Sequence, residues 1–420
     1  MHYRQLSDKL RLFFVASMLA VACVEGACAT EIRSPTVVPE SPGFQGGIIF
    51  SCAGENVADL AASLKDYFRS LGVGPDNYHE TMDEGKESVQ FILRNRLGGT
   101  DTLGLIHRFE FDLKEELVQL PNYSKKPRTV VTVSQKEILL ALLQNGRTTR
   151  FSGKACRVEA LKDQVGIRQN TVAWSESVEF MWPNGKSAHW NPKYWKNGNL
   201  NPRQSLHAAV ADAFIHSSRY SIGCYTATKL IIIQGVLDYY RRVKQDVAAA
   251  DTIEARLMQD CEPLSSIEPG AAWYFEADSS PQDLSRAGKL VFLTPGIAPD
   301  NFVPGDWSYF LNTDPVTYEK TGYEGSNSIY LGRGKFDDYY NDNNHSYSYK
   351  EKLLEVYQWR HKVFSRERDV AKIHPLTATE IRSLGETPER GGIELDYRIT
   401  PYAFGFVELP PIPSAFAHLE

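Results

Sequence analysis

Long hydrophobic runs are scarce in this 420-residue chain. Beyond the first 29 residues no stretch of about 18 consecutive apolar residues occurs, so no membrane span is expected in the mature protein. Blocks of like charge are also missing. The net charge is −6 and the charged residues, 23% of the chain, are interspersed, so electrostatic binding of nucleic acid is not expected. There is no internal repeat, no low-complexity tract, no Gly-rich phosphate loop, no Gly-x-Ser-x-Gly elbow and no paired-cysteine zinc pattern. What remains is a globular composition, 42% hydrophobic, long enough for one large domain or two ordinary ones.

The amino terminus has the form of a secretory signal. Arg4, Lys9 and Arg11 precede the apolar stretch from Leu12 to Val24, and Ala27-Cys28-Ala29 places small residues where cleavage needs them. Cleavage after Ala29 and a secreted or periplasmic location are the expectation. A lipoprotein anchored at Cys23 ranks second, because Ala20 rather than leucine stands three residues before the cysteine. Cleavage would remove two of six cysteines and leave Cys52, Cys156, Cys224 and Cys261. An oxidising compartment allows these to pair. If Cys224 is a free nucleophile, at most one disulfide forms. Cys156 with Cys261 is the expected pair, since both belong to the segment around Cys224; buried free thiols throughout are the alternative.

Residues 30–47 are rich in Pro, Gly and Ser and read as a linker. Residues 48–129 read as a helical amino-terminal extension. Val57, Leu60, Leu64, Phe68 and Leu71 form one face of a helix over 56–71, and a second helix is expected over 85–96. A catalytic-type domain is expected over 130–375. Ser134-Gln-Lys-Glu137 has the form of a capping box before an apolar run. A strand running into a Pro-Asn-Gly turn is expected from Phe180, a helix over 205–215, strands at 272–277, 289–294, 307–312 and 327–332, and a helix over 350–366. Residues 376–420, ending in Leu-Pro-Pro-Ile-Pro, read as a surface tail.

The segment that points to chemistry is Cys224-Tyr-Thr-Ala-Thr-Lys-Leu-Ile-Ile-Ile-Gln-Gly-Val-Leu. Ala227, Leu230, Ile231, Leu237 and Tyr240 share one helical face, yet Ile232, Ile233 and Val236 are apolar too. A helix apolar nearly all round is buried on several sides. Its first turn is smaller and more polar. The positive end of a helix dipole stabilises a thiolate, the reactive form of cysteine, and first-turn N–H groups can form an oxyanion hole. Gly223 lets the backbone turn sharply there and a substrate approach closely. The alternative is a small buried hydrophobe.

Downstream lie Pro304-Gly-Asp-Trp-Ser-Tyr-Phe310 and Ile329-Tyr-Leu-Gly-Arg-Gly-Lys-Phe336. A thiol-headed helix followed by these two strands resembles the papain-like cell-wall peptidases of the NlpC type. From about 130 to 365 the order and spacing of elements more closely resemble the bacterial spore-coat protein-glutamine gamma-glutamyltransferases. The shared pattern includes Gly305-Asp-x-x-Tyr-Phe-x-Asn312, Asn327 and Leu331-Gly332. The resemblance implies an α+β fold with a papain-like core, a nucleophile-bearing helix packed on a small antiparallel sheet. It also implies acyl transfer from protein glutamine through a Cys224 thioester, with no cofactor. The implied partners are proteins with accessible glutamine and lysine.

The chain departs from that family at the base. A glutamate precedes the strand asparagine in the spore-coat enzymes, and the cell-wall peptidases place their histidine there. Here Ser326 precedes Asn327. A serine is no general base near neutral pH. Glu324 is the nearest carboxylate, and Gly325 lets its loop flex. The family glutamate before the cysteine is Gly223 in this chain, and a family histidine falls near Tyr339, with Asp337, Asp338 and His345 close by. The candidate site is therefore Cys224, Glu324, Ser326 and Asn327. A cell-wall amidase or endopeptidase of the same core, and a catalytically silent binding module, are the alternative functions. His207 and His216 are nine residues apart and point to opposite helical sides, against a shared metal site. His189, Trp190 and Trp195 could form a ligand platform, although buried aromatics explain them as well. The acidic run from Asp337 to Asn344 lacks calcium-loop spacing.

Overall fold

The computed structural model describes residues 46–83, 85, 87–94, 111–121, 128–144, 148–182, 188–196, 198–258, 291–295, 302–312, 325–337, 339–340, 346–358, 377–380 and 394–401. In chain order the elements are β1 Gly47–Ser51, α1 Val57–Ser70, β2 Tyr78–Asp83, β3 Ser88–Leu93, β4 Glu116–Leu120, β5 Arg128–Thr132, α2 Gln135–Leu142, β6 Thr148–Ser152 and α3 Val158–Ser175. They continue with β7 Trp195–Lys196, β8 Asn199–Leu200, α4 Leu206–Ile215, α5 Cys224–Asp238, α6 Val247–Met258, β9 Val291–Pro295, β10 Trp307–Leu311, β11 Gly325–Gly332, β12 Lys335–Asp337, β13 Ser346–Ser348, α7 Tyr349–Gln358 and β14 Glu394–Pro401. A π-helical turn, Tyr239–Val243, extends α5. The fold is α+β. The signal peptide, most of the linker, Cys261 and the strand expected at 272–277 lie outside the described residues.

Two sheets frame the molecule. The amino-terminal sheet has the order β2-β3-β1-β6, with β6 parallel to β1 and the other pairs antiparallel. The larger sheet has the order β13-β12-β11-β10-β14-β9 and is antiparallel throughout. The extension is not wholly helical. α1 forms as its apolar face predicts, capped by Asn56, which accepts from the Ala58 and Asp59 amides. The helix expected over 85–96 is instead strand β3, where Val89, Phe91 and Leu93 are buried at every second position, a strand period rather than a helical one. The border placed at 130 is crossed by the β1–β6 pairing and by a disulfide.

That disulfide corrects the expected pairing. Cys156 bonds Cys52, not Cys261, across 104 residues, with Cα atoms 5.6 Å apart. It ties the end of β1 to the start of α3. Proximity in sequence misled, because the parallel β1–β6 register brings residue 52 beside the turn after residue 152.

α3 and α5 form the centre. A Cβ on Gly235 would stand 2.2 Å from Thr171 Oγ1, so glycine is what permits their close approach. Polar groups join the pair: Asn170 Nδ2 donates to Gly235 O (2.8 Å) and Trp174 Nε1 to Asp238 Oδ2 (2.8 Å), while Arg242 Nη2 donates to both Asp238 Oδ2 (2.7 Å) and Asn170 Oδ1 (2.7 Å). On the sheet side Arg168 Nη1 of α3 donates to Asp306 Oδ1 at 2.7 Å, and both side chains are fully buried. Asp306 Oδ2 also accepts from Val303 N (2.8 Å). A Cβ on Gly305, at φ +87°, would lie 3.2–3.3 Å from Arg168. The Pro304-Gly-Asp signature is thus the point where the sheet is anchored to the buried helix.

Candidate active site

Cys224 begins α5, and the residues before it are held on both flanks. Met181 N donates to Tyr220 O (3.1 Å) and Ile222 N to Met181 O (3.0 Å), while His189 and Ser221 exchange backbone bonds of 2.8 and 3.0 Å. Tyr340 Oη donates to Ile222 O (3.0 Å). Gly223 is the N-cap, extended at φ −72° and ψ 163°, and supplies no side-chain cap; the first helical bond runs from Ala227 N to Gly223 O (3.0 Å). The first-turn N–H groups therefore point off the helix end towards the thiol's surroundings. Cys224 is a free, half-buried thiol. Thr228 Oγ1 donates to Cys224 O (2.8 Å) and shares a hydroxyl contact of 2.9 Å with Tyr339 Oη.

β11 brings Asn327 to this helix end. Asn327 Nδ2 donates to Cys224 Sγ at 3.4 Å, and Asn327 Oδ1 accepts from Trp307 Nε1 at 2.8 Å. The indole N–H can only donate, so the amide oxygen must face Trp307 and the NH2 is left for the sulfur. Tyr225 packs edge-on against Trp307, ring centroids 5.3 Å apart, and Lys229 Nζ lies 4.8 Å over the Tyr225 ring. Trp307 and Asn327 are buried, which keeps competing water away from the amide.

Of the sequence-predicted residues, Cys224 and Asn327 are brought together. Ser326 is not: neighbouring strand residues point to opposite faces, so with Asn327 turned to the sulfur Ser326 faces away. Glu324, Asp338 and His345 lie outside the described residues. Tyr339 is linked to Cys224 through Thr228. Asp337 is buried and accepts from Ser175 Oγ (2.5 Å) and Tyr339 N (3.1 Å), fastening β12 to α3. Trp190 and Trp195 are buried against each other, centroids 5.2 Å apart, and so form core rather than a ligand platform. Among the described residues no carboxylate or imidazole bonds the sulfur.

Sequence reasoning passed over Trp307 and Thr228. Trp307 occupies one of the unspecified places in the Gly305-Asp-x-x-Tyr-Phe pattern. Its role depends on β10 pairing with β11 in the register that sets Trp307 opposite Ile329 and Tyr309 opposite Asn327. Thr228 stands four residues after Cys224, one helical turn on, and that spacing was the available signal.

A family model described as protein-glutamine gamma-glutamyltransferase matches residues 117–344, more than half of the chain and a span that contains Cys224, Trp307 and Asn327. Among solved structures, a transglutaminase from Geobacillus stearothermophilus, without its C-terminal extension, is 18% identical over 60% of this chain and 96% of that chain, with a TM-score of 0.32. The search of curated proteins returned no match.

Proposed function

The chain belongs to the protein-glutamine gamma-glutamyltransferase family, and from that premise we propose that Cys224 is its nucleophile and Asn327 the group that orients it. The family activity is acyl transfer from protein glutamine. In our reading Cys224 Sγ attacks the side-chain carboxamide carbon, and the oxyanion that forms is met by first-turn N–H groups of α5. Collapse expels ammonia, which takes up a proton, and leaves a thioester. A lysine amine then attacks the thioester carbon, loses a proton and releases the thiol, giving an isopeptide; water in place of the amine gives glutamate. Glu324 is the proposed proton acceptor, just before the described start of β11. Asn327 Nδ2 is a donor and does not accept the thiol proton.

The observation that carries this reading is the 3.4 Å bond from Asn327 Nδ2 to the one free thiol among the described residues, at the head of a buried helix. Incubation with casein and a biotinylated amine tests it. Incorporation lost in Cys224→Ala supports transfer. Ammonia release without incorporation supports deamidation. Neither activity, in protein shown to be folded, would leave a silent module.

From the signal-like amino terminus we also propose that the enzyme acts outside the cytoplasm after cleavage following Ala29. The Cys52–Cys156 bond supports this, since disulfides persist in oxidising compartments. Amino-terminal sequencing of the exported protein tests it.

A further inference from the structure

A cavity of about 520 Å³ lies beside the residues leading into α5, lined by Met181, His189, Asn191, Ser218, Arg219 and Ser221. We propose that it is a subsite for the acyl-donor protein and that it takes a carboxylate-bearing residue near the reactive glutamine; this rests on the transferase reading above.

Three observations lead there. First, Ser221 bridges both Met181 and His189. Bridged residues project to the same face of a sheet, so these three side chains form one wall. Ile222, the next residue, turns the other way and is fully buried. Met181 remains 43% exposed at this wall, an apolar surface that no described side chain covers.

Second, the cavity wall is close to the thiol along the chain, Ser221 standing three residues before Cys224. A Cβ built on Gly223 meets nothing within 4 Å. Its backbone is ordinary extended structure, so the glycine is not needed for conformation. No described atom crowds the position a Cβ would take there. Three residues span at most about 10 Å of extended chain. A peptide whose glutamine sits at Cys224 would therefore set a residue about three positions away into the cavity.

Third, the charge facing the cavity is positive. Arg219, exposed on the turn Ser217–Arg219, has no carboxylate partner among the described residues. The carboxylate behind the wall, Asp212, is buried and its oxygens are already bonded, to Tyr220 Oη (2.6 Å), Asn191 Nδ2 (2.7 Å) and His216 Nδ1 (2.8 Å). That bond also holds the Asn191 side chain of the lining. A guanidinium beside two serine hydroxyls is a donor set that fits a carboxylate.

The test uses Cys224→Ala protein, which binds without turnover, and fluorescent octapeptides with one glutamine. A glutamate three residues before or three residues after the glutamine is compared with alanine at the same place. In one placement the glutamate peptide should bind roughly three- to fivefold tighter, the size of an exposed ion pair. The preference should vanish in about 0.5 M salt, disappear in a further Arg219→Ala substitution that leaves the alanine peptide's affinity unchanged, and be partly kept in Arg219→Lys. Equal binding of acidic and neutral peptides in both placements, or a preference that survives Arg219→Ala, overturns the proposal. Amine incorporation into casein by the unsubstituted enzyme is measured alongside, so failure of the chemistry and failure of the subsite are separate results.

Discussion

Asn327 presents its amide NH2, not its oxygen, to Cys224 Sγ at 3.4 Å, because Trp307 holds the oxygen at 2.8 Å. The pair fixes the sulfur between a helix end and a sheet, and it makes Trp307 a positioning residue for the thiol although it does not touch it.

The first prediction follows from that relay. Trp307→Phe keeps an aromatic ring against Tyr225 but removes the N–H, so the amide can turn over. Losing one oriented hydrogen bond in the transition state is expected to lower kcat about tenfold with KM within about twofold. Asn327→Ala should cost at least as much, whereas Ser326→Ala, on the opposite strand face, should stay within about twofold. Single-turnover thioester formation is the readout; a Ser326 effect as large as that of Asn327 would refute the strand-face assignment.

Arg168 and Asp306 form a fully buried ion pair. Removing one partner strands the other charge in the core, so Asp306→Ala should lose about 3–5 kcal/mol of stability. Replacing both, Arg168→Met with Asp306→Ala, should be less harmful than the single change. Urea denaturation of the two variants decides between a charge effect and simple loss of packing volume.

Cys52–Cys156 closes a loop of 104 residues. Cys52→Ala with Cys156→Ala, or reduction with dithiothreitol, should destabilise the fold by roughly 2–4 kcal/mol. Alkylation of the native, oxidised protein should label Cys224 in preference to Cys52 or Cys156. Mass spectrometry of peptic fragments identifies the labelled position.

Asp212 supplies a pH dependence. Burial pushes its carboxyl up, but hydrogen bonds from Tyr220, Asn191 and His216 outweigh burial and hold it below its ordinary 3.8. A lowered carboxylate stabilises the fold above the unfolded value and loses that contribution as pH falls through the folded one. The melting-temperature gap between the unsubstituted protein and Asp212→Asn should therefore be widest at about pH 6–7 and shrink below about pH 3.8. A gap that widened on acidification would contradict the assignment.

Much of the site was legible because its signals are local. The Gly223-Cys224 junction, the apolar run behind it and the strands expected at 307–312 and 327–332 each follow from a few adjacent residues, and the structure has them at Trp307–Leu311 and Gly325–Gly332. α3 was not legible. Its eighteen residues are nearly all buried, yet they include Asp163, Gln164, Arg168, Gln169, Asn170 and Thr171, which leave no apolar stripe. Those groups are tolerated only because other segments pair with them: Asp238 and Gly235 with Asn170, Asp306 with Arg168, Lys244 with Asp163 at 2.5 Å. A long stretch without proline was the one hint, and it carried no periodicity.

By itself the chain's order of residues determined which thiol heads a buried helix, from one contiguous run, and which family the chain belongs to, from the order and spacing of short motifs. Only the folded arrangement decided that Asn327 rather than Ser326 meets the sulfur, that Trp307 sets the amide's orientation, and that Cys52 rather than Cys261 is the partner of Cys156. Those outcomes depend on strand register and on pairings between distant segments, and a shift of one residue in register would reverse the face that every side chain of β11 presents.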